Sequence, residues 1–167
     1  MVTWLREAQK TGRAKIANAF LAKPFDARPM TRGYTYLTDH LVCAALHIAT
    51  TVLHPNPTSS ERLSVIAVGG YGRGEMAPAS DVDLLFLTPY KVTTWAESVI
   101  ESMLYMLWDL KLKVGHSTRT IQDCVRLGAE DFTICTAMLE HRYVVGDKEL
   151  AQELDTTLWA DLFKPSM

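Results

Sequence analysis

The stretch Val68-Gly-Gly-Tyr-Gly-Arg-Gly-Glu-Met-Ala-Pro-Ala-Ser-Asp-Val-Asp-Leu-Leu85 decides the fold of this chain. The stretch begins at Val68, the last residue of the apolar, β-branched run Leu63–Val68, which predicts a strand. Two adjacent glycines, Gly69 and Gly70, then predict a tight turn, because glycine adopts positive φ and lets the backbone approach a ligand closely. A second apolar strand is predicted at 81–87. The stretch therefore predicts two strands joined by a glycine-rich turn.

Two aspartates open the second predicted strand. Asp81 and Asp83 are separated by one residue, so on a strand both side chains point to the same face. Carboxylates this close repel each other unless a cation lies beside them, and Mg²⁺ or Mn²⁺ prefers such oxygen ligands. We therefore predict that Asp81 and Asp83 are the catalytic, metal-binding residues.

The glycine turn is predicted to bind phosphate. Free N–H groups at Gly69 and Gly70 can hold phosphate oxygens, and the guanidinium of Arg73 can neutralise charge on a departing pyrophosphate. A glycine-rich turn alone is weak evidence, and no Gly-Lys-Ser/Thr follows it, so the Walker pattern is absent. The dinucleotide fingerprint is also a poor match, because the aspartate-bearing strand follows too soon. The combination with the aspartate pair favours nucleotidyl transfer.

Outside this stretch the spacing of apolar residues predicts helices and one further strand. The expected fold class is α+β: a small mixed β-sheet flanked by helices, with additional amino- and carboxy-terminal helices. The predicted helices are 3–22, 33–53, 92–110, 121–128, 131–144 and 147–163, and the further strand lies within 111–120. We predict a helical amino-terminal segment at 1–57, a nucleotidyltransferase core at 58–128, and a helical segment at 129–167 that begins a following helical subdomain. The turn-rich run Pro55–Ser60 is the predicted linker.

Composition narrows the class of protein. Hydrophobic residues make up 48% and charged residues 22%, so the chain can bury a core. The net charge of -2 argues against a nucleic-acid partner held by phosphate neutralisation. We expect no membrane partner, since the apolar run Leu41–Leu53 is interrupted and too short to span a bilayer. Without an evident signal peptide, and with an odd count of cysteines and no Cys-x-x-Cys pair, we expect a cytoplasmic protein.

At these residues the chain resembles the DNA polymerase β-like nucleotidyltransferase superfamily. More closely, it resembles the amino-terminal domain of bacterial bifunctional PII uridylyltransferase/uridylyl-removing enzymes. The likeness rests on the glycine turn and on the segment Ser80-Asp-Val-Asp-Leu-Leu85. It continues through the segments Leu107-Trp-Asp-Leu, Val114-Gly-His-Ser-Thr-Arg-Thr120, Asp131-Phe-Thr-Ile, and Leu139-Glu-His-Arg to Gly146-Asp147. It covers most of residues 62–155. The related glutamine synthetase adenylyltransferases carry a different glycine-loop sequence.

The resemblance implies transfer of UMP from UTP to a tyrosine of the nitrogen-regulatory PII protein, with Mg²⁺ and release of pyrophosphate. It implies a nucleotide and metal site at Gly69, Gly70, Arg73, Asp81 and Asp83, with Ser80 beside it. The resembled enzymes continue into a histidine-aspartate phosphohydrolase domain and two glutamine-sensing ACT domains. With 167 residues, this chain departs from those enzymes in its length, and it has no His-Asp dipeptide. It could be a truncated form lacking the hydrolase and ACT domains, so we expect neither hydrolysis nor glutamine sensing of it.

The sequence allows more than one role for several further polar residues. Arg119 alternates with His116 on the third predicted strand and could bind a phosphate, while His116 could contact the nucleotide or be structural. A third carboxylate is sought among Asp109, Asp123 and Asp131, although Asp131 is the natural cap of the helix after it and Asp123 favours a solvated first turn. The alternative functions are nucleotidyl transfer to another acceptor and nucleotide binding without catalysis.

Overall fold

The computed structural model describes residues 2–55 and 57–163, so Asn56 of the predicted linker lies outside the described residues. The strands are β1 Ser64–Ala67, β2 Val82–Thr88, β3 Val114–Thr120 and β4 Arg142–Gly146. The helices are α1 Val2–Ala22, α2 Arg28–Ile48, α3 Gly69–Gly72, α4 Thr94–Asp109, α5 Ile121–Glu130, α6 Phe132–Leu139 and α7 Lys148–Thr157. Helices α2 and α7 continue into π-helical turns at Ala49–Leu53 and Leu158–Leu162.

The strands form one four-stranded sheet in the order β3-β2-β1-β4. Strand β1 is antiparallel to both β2 and β4, whereas β2 and β3 are parallel. The predicted fold class, a small mixed sheet flanked by helices with further helices at both termini, is confirmed.

Both faces of the sheet are covered, which explains why β2 is apolar on both sides from Leu84 to Leu87. Leu84 and Phe86 point into a cluster formed with residues of α2 and α4. Leu85 and Leu87 point to the opposite face, into a cluster formed with residues of α5, α6 and α7. Within β2, Asp83 is the one residue that this double cover leaves half-buried.

Strand β4 was missed by the sequence analysis, which predicted a helix over 131–144. The structure ends α6 at Leu139 and pairs Arg142–Gly146 with β1. The segment Arg142-Tyr-Val-Val145 is rich in residues that favour strands, and pairing with a strand far back in sequence overrides the local helical pattern. The segment 129–167 therefore contributes a strand to the sheet. The domain boundaries themselves stay predictions.

One continuous helical segment, Arg28–Leu53, is longer than the apolar run considered in the sequence. Its 26 residues, with a mean hydropathy of 1.3 in the best window, are long and apolar enough to cross a membrane by length and composition alone. Core helices of soluble proteins pass the same test, and this one buries Leu41, Val42 and Ala45 in the protein. The absence of a membrane partner stays a prediction.

Asp147 joins the carboxy-terminal helix to the sheet. Its Oδ1 accepts the backbone N–H of Leu150 at 2.9 Å and so caps α7, while its Oδ2 binds Nε of Arg62 at 2.6 Å. These bonds, chiefly the one from Arg62, hold the pKa of Asp147 below its usual range. We expect Asp147→Ala to lower the free energy of unfolding at pH 7 by about 1–2 kcal/mol, as for a lost helix cap and a partly exposed ion pair.

The stability lost in Asp147→Ala should become smaller as the pH falls. Because the folded-state pKa is depressed, the stabilisation is complete above the unfolded pKa of about 4 and disappears as the pH falls through the folded value. Urea unfolding of both proteins at pH 7 and near pH 3 should therefore show the gap shrinking in acid. Asp147→Asn keeps a capping oxygen but no charge, so its free energy of unfolding at pH 7 should lie between those of the wild type and Asp147→Ala. An equal gap at both pH values would contradict this role.

Candidate active site

One end of the sheet brings the glycine turn and the aspartate strand together. Strand β1 runs towards this end, and its antiparallel partner β2 starts there, with Ala67 opposite Leu84. The N–H of Val68 donates to the carbonyl of Asp83 at 3.1 Å, so the glycine turn begins directly beside the aspartate strand. The starts of β3 and β4 lie at the same end, because Gly115 pairs with Asp83 and Arg142 pairs with Ala67.

The carboxylate of Asp83 lies between two glycines. Gly69 has a positive φ of 58°, and a Cβ built on it would lie 3.4 Å from Oδ2 of Asp83. On the other side, a Cβ built on Gly115 would overlap Oδ1 of the same carboxylate. The glycine turn therefore lies against the Asp83 carboxylate, and β3 closes the far side of this site.

The two aspartates interact electrostatically. Burial, and then the charge of Asp81, raises the pKa of Asp83. Asp81 itself is exposed, just before β2. A partly buried carboxylate beside a second one is unfavourable in the ionised state, and a divalent cation would relieve both the burial and the repulsion.

The donor set fits Mg²⁺ bound together with a substrate. Among residues 2–55 and 57–163, no cluster of three or more His, Cys, Asp or Glu side chains could hold a metal ion. Mg²⁺ is usually bound through one or two carboxylates, with waters and substrate phosphates completing its shell. Asp81 and Asp83 suit that arrangement and do not suit an ion held by protein side chains alone.

The glycine turn presents uncommitted N–H groups. Helix α3 comprises only Gly69–Gly72, and its first bonds are donated by Gly72 to Val68 and by Arg73 to Gly69. The N–H groups of the preceding residues have no acceptor inside the helix. The N-cap residue, Val68, makes no side-chain cap bond to them. This end of α3 can therefore accept an anion next to Asp83.

Arg73 and Ser80 both border the site, with side-chain partners of their own. The Nη1 of Arg73 forms an ion pair with Oε1 of Glu140, while its Nη2 lies 3.5 Å from the Cβ position of Gly70. The hydroxyl of Ser80 accepts the N–H of Ala77 at 2.8 Å and closes the turn that leads into Asp81. Their roles as nucleotide ligands stay predictions.

Arg119 lies away from this group. It pairs with Leu87, four residues beyond the pairing of Gly115 with Asp83, which corresponds to about 13 Å of strand. The register therefore does not bring its backbone to the carboxylates, and its phosphate-binding role remains a prediction. His116 is exposed, and its ring contacts Trp108 at 6.2 Å between centroids, which favours the structural alternative.

Two of the three candidates for a third carboxylate cap helices instead. The Oδ1 of Asp131 accepts the N–H groups of Thr133 and Ile134, which confirms that it caps α6. Asp123 forms a capping box with Thr120 at the start of α5, and the bonds from Thr120 lower its pKa. Asp109 is exposed at the end of α4. On β3, the position opposite Asp83 is occupied by Gly115.

Two site residues escaped the sequence analysis. A glycine inside a strand often marks a close approach of another group, and that signal could have identified Gly115. Nothing in the local sequence marked Glu140 as the partner of Arg73, because the pair is separated by 67 residues. A side-chain bond between residues this far apart leaves no periodic pattern in the sequence.

Comparison with known proteins bears on this site. Residues 1–112 match a family model described as glutamate-ammonia ligase adenylyltransferase. The chain is also 63% identical over 98% of its length to a protein of Ruegeria pomeroyi, and 61% identical over 98% to one of Cereibacter sphaeroides. A relative from Erythrobacter litoralis is 49% identical over 95% of the chain. All three relatives are named bifunctional uridylyltransferase/uridylyl-removing enzyme.

The chain spans a small part of these relatives. It corresponds to 18% of the Ruegeria pomeroyi and Cereibacter sphaeroides proteins and to 17% of the Erythrobacter litoralis protein. The matched family segment contains the glycine turn and both aspartates, whereas β3, with Gly115, lies beyond it. The similarity to the three relatives extends through β3 and β4.

Proposed function

This chain belongs to the nucleotidyltransferase family of the glutamate-ammonia ligase adenylyltransferases and the uridylyltransferase/uridylyl-removing enzymes, and from that premise we propose that it transfers UMP from UTP to a tyrosine of the PII protein. The proposed reaction needs Mg²⁺ and releases pyrophosphate. The observation that carries the proposal is the carboxylate of Asp83, lodged between Gly69 and Gly115 beside the open end of α3.

In the proposed reaction, the N–H donors and the arginine bind phosphate, and the carboxylates bind the metal. The free N–H groups at Gly69 and Gly70 would hold oxygens of the triphosphate, and Arg73 would neutralise charge on the pyrophosphate as it leaves. Asp81 and Asp83 would hold Mg²⁺. When bound, this ion would lower the pKa of the attacking hydroxyl and stabilise charge on the phosphate oxygens.

The covalent step is a displacement at the α-phosphorus. A bond forms between the tyrosine oxygen and the α-phosphorus, the bond to the bridging oxygen of pyrophosphate breaks, and the tyrosine proton passes to solvent. Asp83 is half-buried on β2, between Gly69 and Gly115, and this keeps its carboxylate in place while the substrate changes. A fixed electrostatic environment of this kind is what stabilises a transition state.

The choice of donor and acceptor rests on resemblance rather than on geometry. The family model is named for adenylyl transfer, while the three relatives are named for uridylyl transfer. We favour UTP because those relatives match nearly the whole chain. PII as the acceptor follows from the resemblance of the glycine turn and the aspartate motif to the PII-modifying enzymes.

The test is a labelling experiment on the chain itself. The protein is incubated with Mg²⁺, purified PII, and each of the four nucleoside triphosphates in turn, labelled at the α-phosphate. Label on PII from UTP alone supports the proposal, and label from ATP alone would replace UMP by AMP. Label on another acceptor would overturn PII. Binding of nucleotide without transfer would leave the chain a nucleotide-binding domain.

The ion pair between Arg73 and Glu140 makes a further prediction. Since Glu140 competes with the triphosphate for the guanidinium, Glu140→Gln should tighten binding of UTP in the presence of Mg²⁺ by about two- to fivefold, as for a partly exposed ion pair. Isothermal titration calorimetry without acceptor measures this. Glu75→Gln is the matched control, because Glu75 is exposed and adds only a minor charge effect on Arg73. Weaker binding by Glu140→Gln would mean that Glu140 instead positions Arg73.

A further inference from the structure

The glycine turn is held from behind by a partly buried hydrogen-bond network. Helix α3 has only four residues, and a helix this short is unstable without contacts to the rest of the protein. Its amino-terminal N–H groups face the proposed triphosphate site, so the contacts that fix it must come from its side chains and its carboxy-terminal carbonyls. Three residues that the proposed chemistry does not use make those contacts: Asp39, Tyr71 and Arg142.

Arg142 joins the turn to the sheet and to α2. Its Nη1 and Nη2 bind the two carboxylate oxygens of Asp39 at 2.9 and 3.0 Å, which is a bidentate pair. The same guanidinium donates to the carbonyls at the end of α3: Nε to Gly72 and Nη2 to Tyr71, each at 3.3 Å. One side chain on β4 therefore binds an acid on α2 and the backbone of the glycine turn.

Tyr71 completes the network from within the turn. Its side chain is 1% exposed, and its hydroxyl donates to Oδ1 of Asp39 at 2.7 Å. The guanidinium carbon of Arg142 lies 5.4 Å from the centre of the Tyr71 ring. Burial of the ring and the charge of Asp39 raise the pKa of the Tyr71 hydroxyl, so it remains a donor at neutral pH.

We propose that Asp39, Tyr71 and Arg142 form a clamp that positions the glycine turn for nucleotide binding, with Arg142 as its central positioning residue. This inference rests on the proposed function, because the turn is taken to bind the triphosphate. It gives a role to α2, since Asp39 makes that helix part of the scaffold of the site. None of the clamp residues is assigned contact with the reacting atoms.

The chain contains a matched control. Arg62 also pairs with an aspartate through two hydrogen bonds, to Asp147 at 2.6 and 3.2 Å, and its side chain is 30% exposed compared with 32% for Arg142. Arg62 ties β1 to α7 and makes no hydrogen bond to the glycine turn among the described residues. Arg62→Gln therefore reproduces the loss of an arginine–aspartate pair without touching the clamp.

Two measurements on the whole chain test the clamp: calorimetric binding of UTP with Mg²⁺, and amide hydrogen exchange of residues 69–74 without nucleotide. We expect Arg142→Gln to raise the Kd by about tenfold to hundredfold, the value of hydrogen bonds to a charged group, and to speed exchange in the turn. Arg62→Gln should change the Kd by less than about twofold and leave that exchange unchanged. Tyr71→Phe, which removes one hydroxyl, should act in the same direction as Arg142→Gln and serves if that variant does not fold.

The outcomes separate the clamp from the proposed function. Equal effects of the two arginine variants would overturn the clamp, since loss of any arginine–aspartate pair would then suffice. No effect of Arg142→Gln would also overturn it, because the turn would then not depend on Arg142. If the wild-type chain does not bind UTP, the proposed function fails. The exchange experiment still decides whether Arg142 holds the turn, because it needs no nucleotide.

Discussion

Asp83→Asn is expected to lower nucleotidyl transfer by at least about 10²-fold while the chain stays folded, because one positioned electrostatic contact in an active site has that value. Asparagine has nearly the size of aspartate, so it should fit between Gly69 and Gly115. It carries no charge, and the site then keeps only the exposed carboxylate of Asp81 for a divalent cation.

The same substitution should not destabilise the protein. Burial and the neighbouring Asp81 raise the pKa of Asp83, which means that folding disfavours its ionised form. Removing the charge removes that cost at neutral pH, so the free energy of unfolding should stay the same or increase. Loss of activity together with retained or greater stability is expected of a residue kept for function.

The measurement is the initial rate of label transfer from UTP at saturating Mg²⁺, with thermal unfolding measured alongside. Asp109→Asn is the control, because Asp109 was a sequence candidate for a catalytic carboxylate yet lies exposed at the end of α4. It should retain the wild-type rate. An unchanged rate for Asp83→Asn would remove the metal assignment.

Gly115→Ala is expected to lower transfer by about tenfold to hundredfold. The new methyl group would overlap Oδ1 of Asp83, so either the carboxylate rotates away or the start of β3 moves outward. A shift of about 1 Å in a reacting arrangement can cost as much as 10²-fold in rate. The free energy of unfolding should also fall, by about 1–3 kcal/mol, as for an overpacked site.

Ser117→Ala is the matched control for this glycine. Ser117 is two residues further along β3, so its side chain points to the same face of the sheet, and it pairs with Leu85 rather than with Asp83. We expect it to keep the wild-type rate and the wild-type affinity for Mn²⁺, measured by paramagnetic titration. If Gly115→Ala has the wild-type rate and metal affinity, the position of the Asp83 carboxylate does not limit the reaction.

Strand β4 illustrates where sequence reasoning about the fold failed. The strands around the glycine turn could be predicted because each has a clear apolar pattern and the turn between them is short. Between α6 and β4 there is no glycine or proline to mark the end of the helix, and the helical pattern of α6 continues to about residue 144. Its pairing with β1, about 75 residues earlier, decides where the helix ends.

The candidate site shows the same division. Gly69, Gly70, Asp81 and Asp83 lie within fifteen residues, and local geometry alone predicts that they can meet. Arg119 was included because it lies on a neighbouring strand, but only the register shows that it stands about 13 Å along that strand from Gly115. The partners of the turn, Asp39 and Arg142, lie far away in sequence on both sides.

The amino-acid sequence by itself determined the strand, glycine turn and aspartate strand, since backbone freedom and side-chain alternation act between near neighbours. The tertiary structure alone decided which residues surround that motif: Gly115 against Asp83, Glu140 on Arg73, and Arg142 with Asp39 behind the turn. These contacts depend on how the sheet orders its strands. That order minimises the free energy of the whole core and leaves no pattern within any one segment.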